Sequence, residues 1–215
     1  MQLGASVAPS IRLAHNGVVP AKNAAPVPAY QLKITLLGIA PPIWRRIQVP
    51  GSIKLSQLHR VVQIAMGWTD SHLHQFERDG TYWGNPEHYE DDDLQVFDER
   101  RVKLHQLLGA EGVSLVYTYD FGDNWQHEVL LEKILGEETV VLQPICLVGE
   151  RHCPPEDVGG TTGYQKFLDV IFDPTHKEHE HYLTWVGGRF QPEDFNVAAV
   201  NRSLAKSRRR STVAG

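Results

Sequence analysis

Apolar and polar positions alternate with period two over Tyr30–Leu36, where Leu32, Ile34 and Leu36 share one side, so the segment predicts a half-buried strand. Pro41-Pro42 breaks it, and Ile43–Val49 reads as the returning strand, closed by Pro50-Gly51. Leu55, Leu58, Val61, Val62, Ala65 and Met66 then switch to helical spacing, with Gly67 where a left-handed C-cap belongs. Asp79-Gly80, between two strand-like runs, predicts a hairpin. Leu115, Tyr117 and Tyr119 alternate into Asp120-Phe121-Gly122-Asp123-Asn124, and Trp125, His127, Val129 and Leu131 alternate out, a second hairpin with a wide turn. Three helical stripes follow. Tyr164, Phe167, Leu168, Ile171 and Phe172 form one, ended by Asp173-Pro174; a second, with Tyr182, Leu183, Trp185 and Val186, stops at Gly187-Gly188. The third, Val197, Val200 and Leu204, has Asn196 as its N-cap.

Strands first and helices last predict an α+β fold: a mixed or antiparallel sheet with hairpins and a helical C-terminal third. The order strand, strand, helix, hairpin in the first half is compatible with a β-grasp-like unit. Residues 1–28 have no period and read as a flexible N-terminal arm; 29–205 read as one α+β domain; 206–215 read as a basic disordered tail. The chain of 215 residues carries a formal charge of -5, and removing the four cations of the tail leaves the body near -9. That balance argues against a globally basic nucleic-acid binder. No apolar run is long enough for a membrane span, and no signal peptide is apparent. Two cysteines cannot build a disulfide scaffold, so a cytoplasmic setting is expected. The acids at 87–99, Glu87, Glu90, Asp91, Asp92, Asp93, Asp98 and Glu99, read as a solvated loop.

The composition stands out at histidine, with 11. Most sit in four clusters. In Asp70-Ser71-His72-Leu73-His74-Gln75-Phe76, His72 and His74 would share a strand face, the spacing of two metal ligands or of two ordinary strand histidines. Tyr119–His127 packs Asp120, Asp123, Trp125 and His127 around one turn, which suits ligation or acid–base chemistry as well as turn formation. Cys146–Gly160 reads as a long loop with Cys146, His152, Cys153, Glu156 and Asp157 framed by prolines and glycines. His176-Lys177-Glu178-His179-Glu180-His181 reads as a charged helix start. There is no glycine-rich nucleotide loop, Walker sequence, nucleophile elbow or H-E-x-x-H; Asp120-Phe121-Gly122 spells a kinase triplet without the rest of a kinase.

These stretches predict a polar cleft for an unidentified ligand or protein partner, lined by Asp70, His72, His74, Asp120, Asp123, His127, Glu156 and Asp157, with Trp68 and Trp125 as apolar walls. A divalent metal is the cofactor such a set would take, with His72, His74, His127, Cys153, His176 and His179 as candidate ligands and metal-dependent hydrolysis or nuclease chemistry as the alternative reading. A third reading is weak nucleic-acid association through Arg202, Lys206, Arg208, Arg209 and Arg210, helped by Arg45 and Arg46.

Pro41-Pro42-Ile43-Trp44-Arg45-Arg46, Gly67-Trp68-x-Asp70-Ser71-His72-Leu73-His74-x-Phe76, Tyr119-Asp120-Phe121-Gly122-Asp123-x-Trp125-x-His127 and Cys153-Pro154-Pro155-Glu156-Asp157-x-Gly159-Gly160 together resemble the plasmid pRiA4b ORF-3-like family, over roughly Tyr30 to Leu204. The resemblance implies an α+β protein of the kind encoded on plasmids or carried by insertion elements. Some members bear a resolvase-like label, but no serine- or tyrosine-recombinase motif is recognisable in this chain. Many relatives look to have Cys where this chain has Val158, which puts a cysteine-based zinc site in doubt here.

Overall fold

The computed structural model describes residues 27–89, 94–136 and 138–213, with side chains as far as 207. Its elements are β1 (Ala29–Leu36), β2 (Ile43–Pro50), α1 (Leu55–Met66), β3 (His74–Arg78), β4 (Thr81–Gly84), β5 (Val96–Asp98), α2 (Leu104–Leu107), β6 (Ser114–Tyr119), β7 (Trp125–Ile134), β8 (Ile145–Glu150), α3 (Gly160–Ile171), α4 (His179–Trp185) and α5 (Val197–Val213). The strands form one sheet in the order β5-β4-β3-β6-β7-β1-β2-β8, antiparallel except for the parallel pair β4–β5. The fold is therefore α+β. The strands of the N-terminal half do not make a sheet of their own: β6 and β7 lie between the hairpins β1–β2 and β3–β4.

Register explains the core. Leu32, Ile34 and Leu36 of β1 sit opposite Ile47, Arg45 and Ile43 of β2, and opposite Leu131, Val129 and His127 of β7. Tyr117 and Tyr119 of β6 sit opposite His127 and Trp125, and opposite Phe76 and His74 of β3. All of these point to one side, because side chains alternate along a strand. The helices bury that side: Leu55, Leu58, Val61 and Val62 of α1, Tyr164 and Phe167 of α3, and Leu204 of α5 belong to the same core cluster. The opposite side stays polar and half-exposed, with Glu132 taking both Nε and Nη2 of Arg46 at 2.6 and 2.8 Å and Gln31 at 3.1 Å.

Local signals behave as their chemistry requires. Gly67 closes α1 with φ +98°, and Asp79-Gly80 turns β3 into β4 with both φ positive. The side chain of Asn196 accepts the Ala199 N–H at 2.9 Å and so caps α5. Four expectations need correction. Cys146 lies in β8, paired with Ile47, not in a loop. α5 runs on to Val213, so the backbone of the basic segment is helical to that point; its alanines and long cations are good helix formers. His176 lies ahead of α4, not on it. The acidic stretch is not wholly solvated: Asp98 ends β5 and Glu99 is buried, although Glu90–Asp93 lie outside the described residues, as does the arm before Val27. Among the described residues no helix is long and apolar enough to cross a membrane.

Candidate functional site

α1 ends at Gly67, and the chain turns across the inner side of the sheet before entering β3. That turn, Trp68–Leu73, meets the β6–β7 turn and the 154–159 loop. Trp68 supplies the floor. It is buried, stacks on Tyr119 with a centroid distance of 5.0 Å, lies 6.0 Å from Trp125, and donates Nε1–H to Pro154 O at 3.0 Å. Trp68 and Trp125 thus lie beneath the polar residues instead of walling a cleft, because both side chains are drawn into the core, Trp125 to 1% exposure. His127 is likewise core, with no exposure and its ring edge-on to Trp68 at 5.3 Å. Its Nε2 has no partner, and burial pulls its pKa from 6.5 down to about 4.

Tyr119 ties the loops together. Its hydroxyl accepts the N–H groups of Ser71 and His72 at 3.0 and 3.3 Å and donates to Glu156 Oε1 at 2.5 Å. Glu156 also takes the Thr69 hydroxyl at 2.5 Å and the Thr69 N–H at 3.2 Å. Burial and the Glu156 carboxylate both push the Tyr119 pKa up, so the phenol stays a donor. Asp123 completes the frame by accepting the Gly159 N–H at 3.1 Å.

Two groups of metal-ligand spacing result. In the first, His72 Nε2 lies 3.1 Å from Asp157 Oδ1 and 3.7 Å from Asp120 Oδ2. Asp120 Oδ1 is occupied by the N–H groups of Gly122 and Asp123 at 2.9 and 3.3 Å, which leaves Oδ2 to face the imidazole. His72 Nε2 is shut off from solvent, yet it makes no hydrogen bond: Asp120 Oδ2 is too far, and Asp157 Oδ1, though near enough, does not meet it in bonding geometry. Both aspartates hold left-handed backbone, φ +56° at Asp120 and +59° at Asp157, a conformation Asp tolerates at a cost and one that concentrates at functional sites.

The second group, His59, Asp70 and His74, is organised differently. Asp70 N–H donates to Gln63 Oε1 at 3.1 Å, so Gln63 must offer its NH2 to Tyr117 Oη at 2.9 Å. Tyr117 Oη then gives its proton to His59 Nδ1 at 2.8 Å, and His59 Nε2–H donates to Asp70 Oδ1 at 2.8 Å. The chain of donors closes on the residue where it began. Burial is the largest influence on His59 and lowers its pKa, while the bond from His59 holds Asp70 low. His74, stacked on His59, pairs with buried Glu99 at 2.8 Å.

Asp70, His72, His74, Asp120, Asp123, Glu156 and Asp157 thus gather where α1 ends, over the buried layer of Trp68, Trp125 and His127. The remaining metal candidates lie elsewhere. His176 Nδ1 accepts the Glu178 N–H at 3.2 Å, and His179 Nδ1 lies 3.1 Å from Val170 O. Cys153 is buried, and burial pushes its thiol pKa far up. Among the described residues no group of metal-ligand spacing includes His127, Cys153, His176 or His179. Arg46 is taken by Glu132 and Arg45 is buried, so neither supports a nucleic-acid surface; Arg202 and Lys206 are exposed on α5, and the side chains of Arg208–Arg210 lie outside the described residues. Sequence reasoning left Gln63, Glu99 and Tyr117 out of the site and His59 at its margin. His59, Gln63 and Tyr117 are polar residues on otherwise apolar faces, and Glu99 is hidden in the acidic run 87–99.

The chain matches the family described as Plasmid pRiA4b ORF-3-like protein over residues 28–199. It is 41% identical over 177 residues to the uncharacterized protein y4hQ of Sinorhizobium fredii (strain NBRC 101917 / NGR234), covering 80% of this chain and 86% of that one. A crystal structure of the protein of unknown function MM3350 from Methanosarcina mazei Go1 is similar with a TM-score of 0.71 and 40% identity, covering 80% of this chain and 95% of that chain. A family match across most of the chain, and relatives at 40% identity over most of their own length, make this chain a member of the plasmid pRiA4b ORF-3-like family.

Proposed function

We propose that the polar site binds a divalent cation through His72 Nε2, Asp120 Oδ2 and Asp157 Oδ1, and that the protein uses it for metal-assisted hydrolysis. The observation that supports this most is the His72 nitrogen, closed to water, unbonded, and 3.1 and 3.7 Å from two carboxylate oxygens. Two donors each about 2.1 Å from one ion sit about 3.0–3.4 Å apart, so the trio needs little rearrangement to ligate. Two carboxylates neutralise a dication, and one imidazole with two oxygens suits zinc or manganese as well as magnesium. Three protein donors leave positions open for water and substrate, the arrangement that lowers the pKa of bound water. Asp157, 70% exposed at its side chain, leaves one edge of the trio open to solvent.

A role as accessory protein of a plasmid or mobile element is a second part of this proposal and rests on the family alone. The test of the first part is elemental analysis of protein purified without an affinity tag, combined with thermal melting in added zinc, manganese or magnesium and a screen of phosphodiester and carboxylic ester hydrolysis. A stoichiometric metal, a melting shift lost in His72→Ala, and metal-dependent turnover are expected. Protein that holds no metal and melts identically with each ion would refute the reading.

A further inference from the structure

The segment that joins β7 to β8 leaves large apolar side chains uncovered. Val140 and Leu142 are 74% and 77% exposed, and Ile134 before them and Ile145 after them are exposed too. One exposed apolar side chain is ordinary, but a run of them marks a surface that something covers. Here they border a groove in two parts, of about 400 and 280 Å³, which share Pro50, Ser52 and Leu142. The first part opens between residues 27–29 and 139–142. The second continues along α1, past Gln57, Val61 and Ile64, to Leu204 and Ser207 of α5. Ile53, Val61 and Leu204 are buried and give it an apolar floor.

The groove opens where the chain enters the fold. Val27 and Pro28 stand at its mouth, with the Pro28 carbonyl held by the Gly51 N–H at 3.0 Å. The sequence shortly before that point, residues 13–21, is Leu-Ala-His-Asn-Gly-Val-Val-Pro-Ala, with no Lys, Arg, Asp or Glu. Such a segment suits a groove lined by no carboxylate and by one cation, Arg60, which is exposed at the rim. Its reach is sufficient. Val19 precedes Val27 by eight residues, about 26 Å of extended chain, while Gln57 to Ile64 is seven residues of helix, about 10 Å. A second copy of the chain is less well suited. Asn201 accepts the Cys146 N–H and donates to the Cys146 carbonyl, each at 2.8 Å, so the free edge of β8 is closed there to another strand.

We propose that residues 13–21 of the chain itself dock in this groove, with Val18 and Val19 against Val140 and Leu142 and with Leu13 on the floor between α1 and α5. The docked segment covers apolar surface that would otherwise draw copies of the protein together. The groove shares no residue with the cation centre, so this inference goes beyond the proposed function and does not depend on it.

The test is hydrogen–deuterium exchange on the whole chain, read by mass spectrometry, with light scattering at several protein concentrations. Amides of residues 13–21 should exchange at least tenfold more slowly in the native chain than in the double variant Val140→Ser, Leu142→Ser. Both of those side chains are exposed, so the variant should still fold. Val18→Ser with Val19→Ser should release the segment in the same way and increase self-association. The protection in the native chain should not depend on concentration. Exchange of residues 13–21 at the rate of an unstructured chain, or protection that survives both double variants, overturns the proposal. So does protection that rises with concentration alongside a dimer, which would assign the groove to a second copy.

Discussion

The imidazoles of His59 and His74 lie parallel, 6° apart, with ring centroids separated by 3.4 Å, and each reaches its own carboxylate, Asp70 and Glu99. Imidazole lone pairs lie in the ring plane, so parallel stacked rings keep theirs in separate parallel planes and the two cannot converge on one ion. This separates the pair from the neighbouring His72 centre, although both groups have ligand-like spacing. The donor circuit through Gln63 and Tyr117 fixes His59 as a neutral imidazole with its proton on Nε2. Two-bond proton–nitrogen correlation spectra at neutral pH should show that tautomer. A proton on Nδ1 would mean that Tyr117 accepts instead of donates, and the circuit would be wrong.

Tyr117→Phe removes the hydroxyl that joins His59 to Gln63 and leaves buried polar atoms unpaired on both. A loss of about 1–3 kcal/mol of folding stability is expected, read from urea or guanidinium unfolding. A change below a few tenths would show that the two groups rearrange to satisfy one another.

Tyr119→Phe should act differently. It frees the amides of Ser71 and His72 and releases Glu156, all at the partly open rim. The stability loss should be smaller than for Tyr117→Phe, while metal affinity falls, measurable by manganese titration. Unchanged affinity would detach the Tyr119–Glu156 clamp from the His72 centre.

Acid sensitivity should follow His127. Its folded pKa of about 4 lies below the ordinary 6.5, because burial disfavours the imidazolium. The unfolded chain therefore binds this proton first. The stability tied to the neutral ring is complete above pH 6.5 and is lost progressively as pH falls towards 4, an order of about 3 kcal/mol. His127→Phe should flatten the stability–pH curve in that window. A curve of unchanged slope would contradict the assignment.

Gly160 opens α3 with φ +67°, and a Cβ there would come within 2.6 Å of Asp123 O. Gly160→Ala combines left-handed strain with a backbone clash, so it should cost more than the roughly 1–2 kcal/mol that left-handed backbone alone imposes. Equilibrium unfolding measures it. A neutral result would mean that α3 does not dock against the β6–β7 turn as described.

Much of the fold is legible in local pattern because strand alternation, helical stripes and turn residues act over a few positions. Leu32, Ile34 and Leu36 announce β1, and Gly67 announces the end of α1. Strand order is not local: nothing in Thr118 or Gln126 says that β6 and β7 will slot between two hairpins that precede them. The site was legible to the extent that its residues cluster in turns, as Asp70, His72, Asp120, Glu156 and Asp157 do. It was illegible where a polar side chain hides on an apolar face. His59 and Gln63 sit one turn apart on α1, and Tyr117 and His127 read as ordinary alternating strand residues, until the sheet brings them together. The sequence presents Trp68 and Trp125 as walls of a cleft and not as its floor, because burial depth is a property of the assembled layers.

The most direct measurement of the cation centre is anomalous diffraction from crystals grown or soaked in manganese. The account predicts a single strong anomalous peak about 2.1–2.3 Å from His72 Nε2, Asp120 Oδ2 and Asp157 Oδ1. It predicts no such peak in His72→Ala crystals treated identically. Manganese absent from those three atoms in the native chain, or retained there without the imidazole, would contradict it.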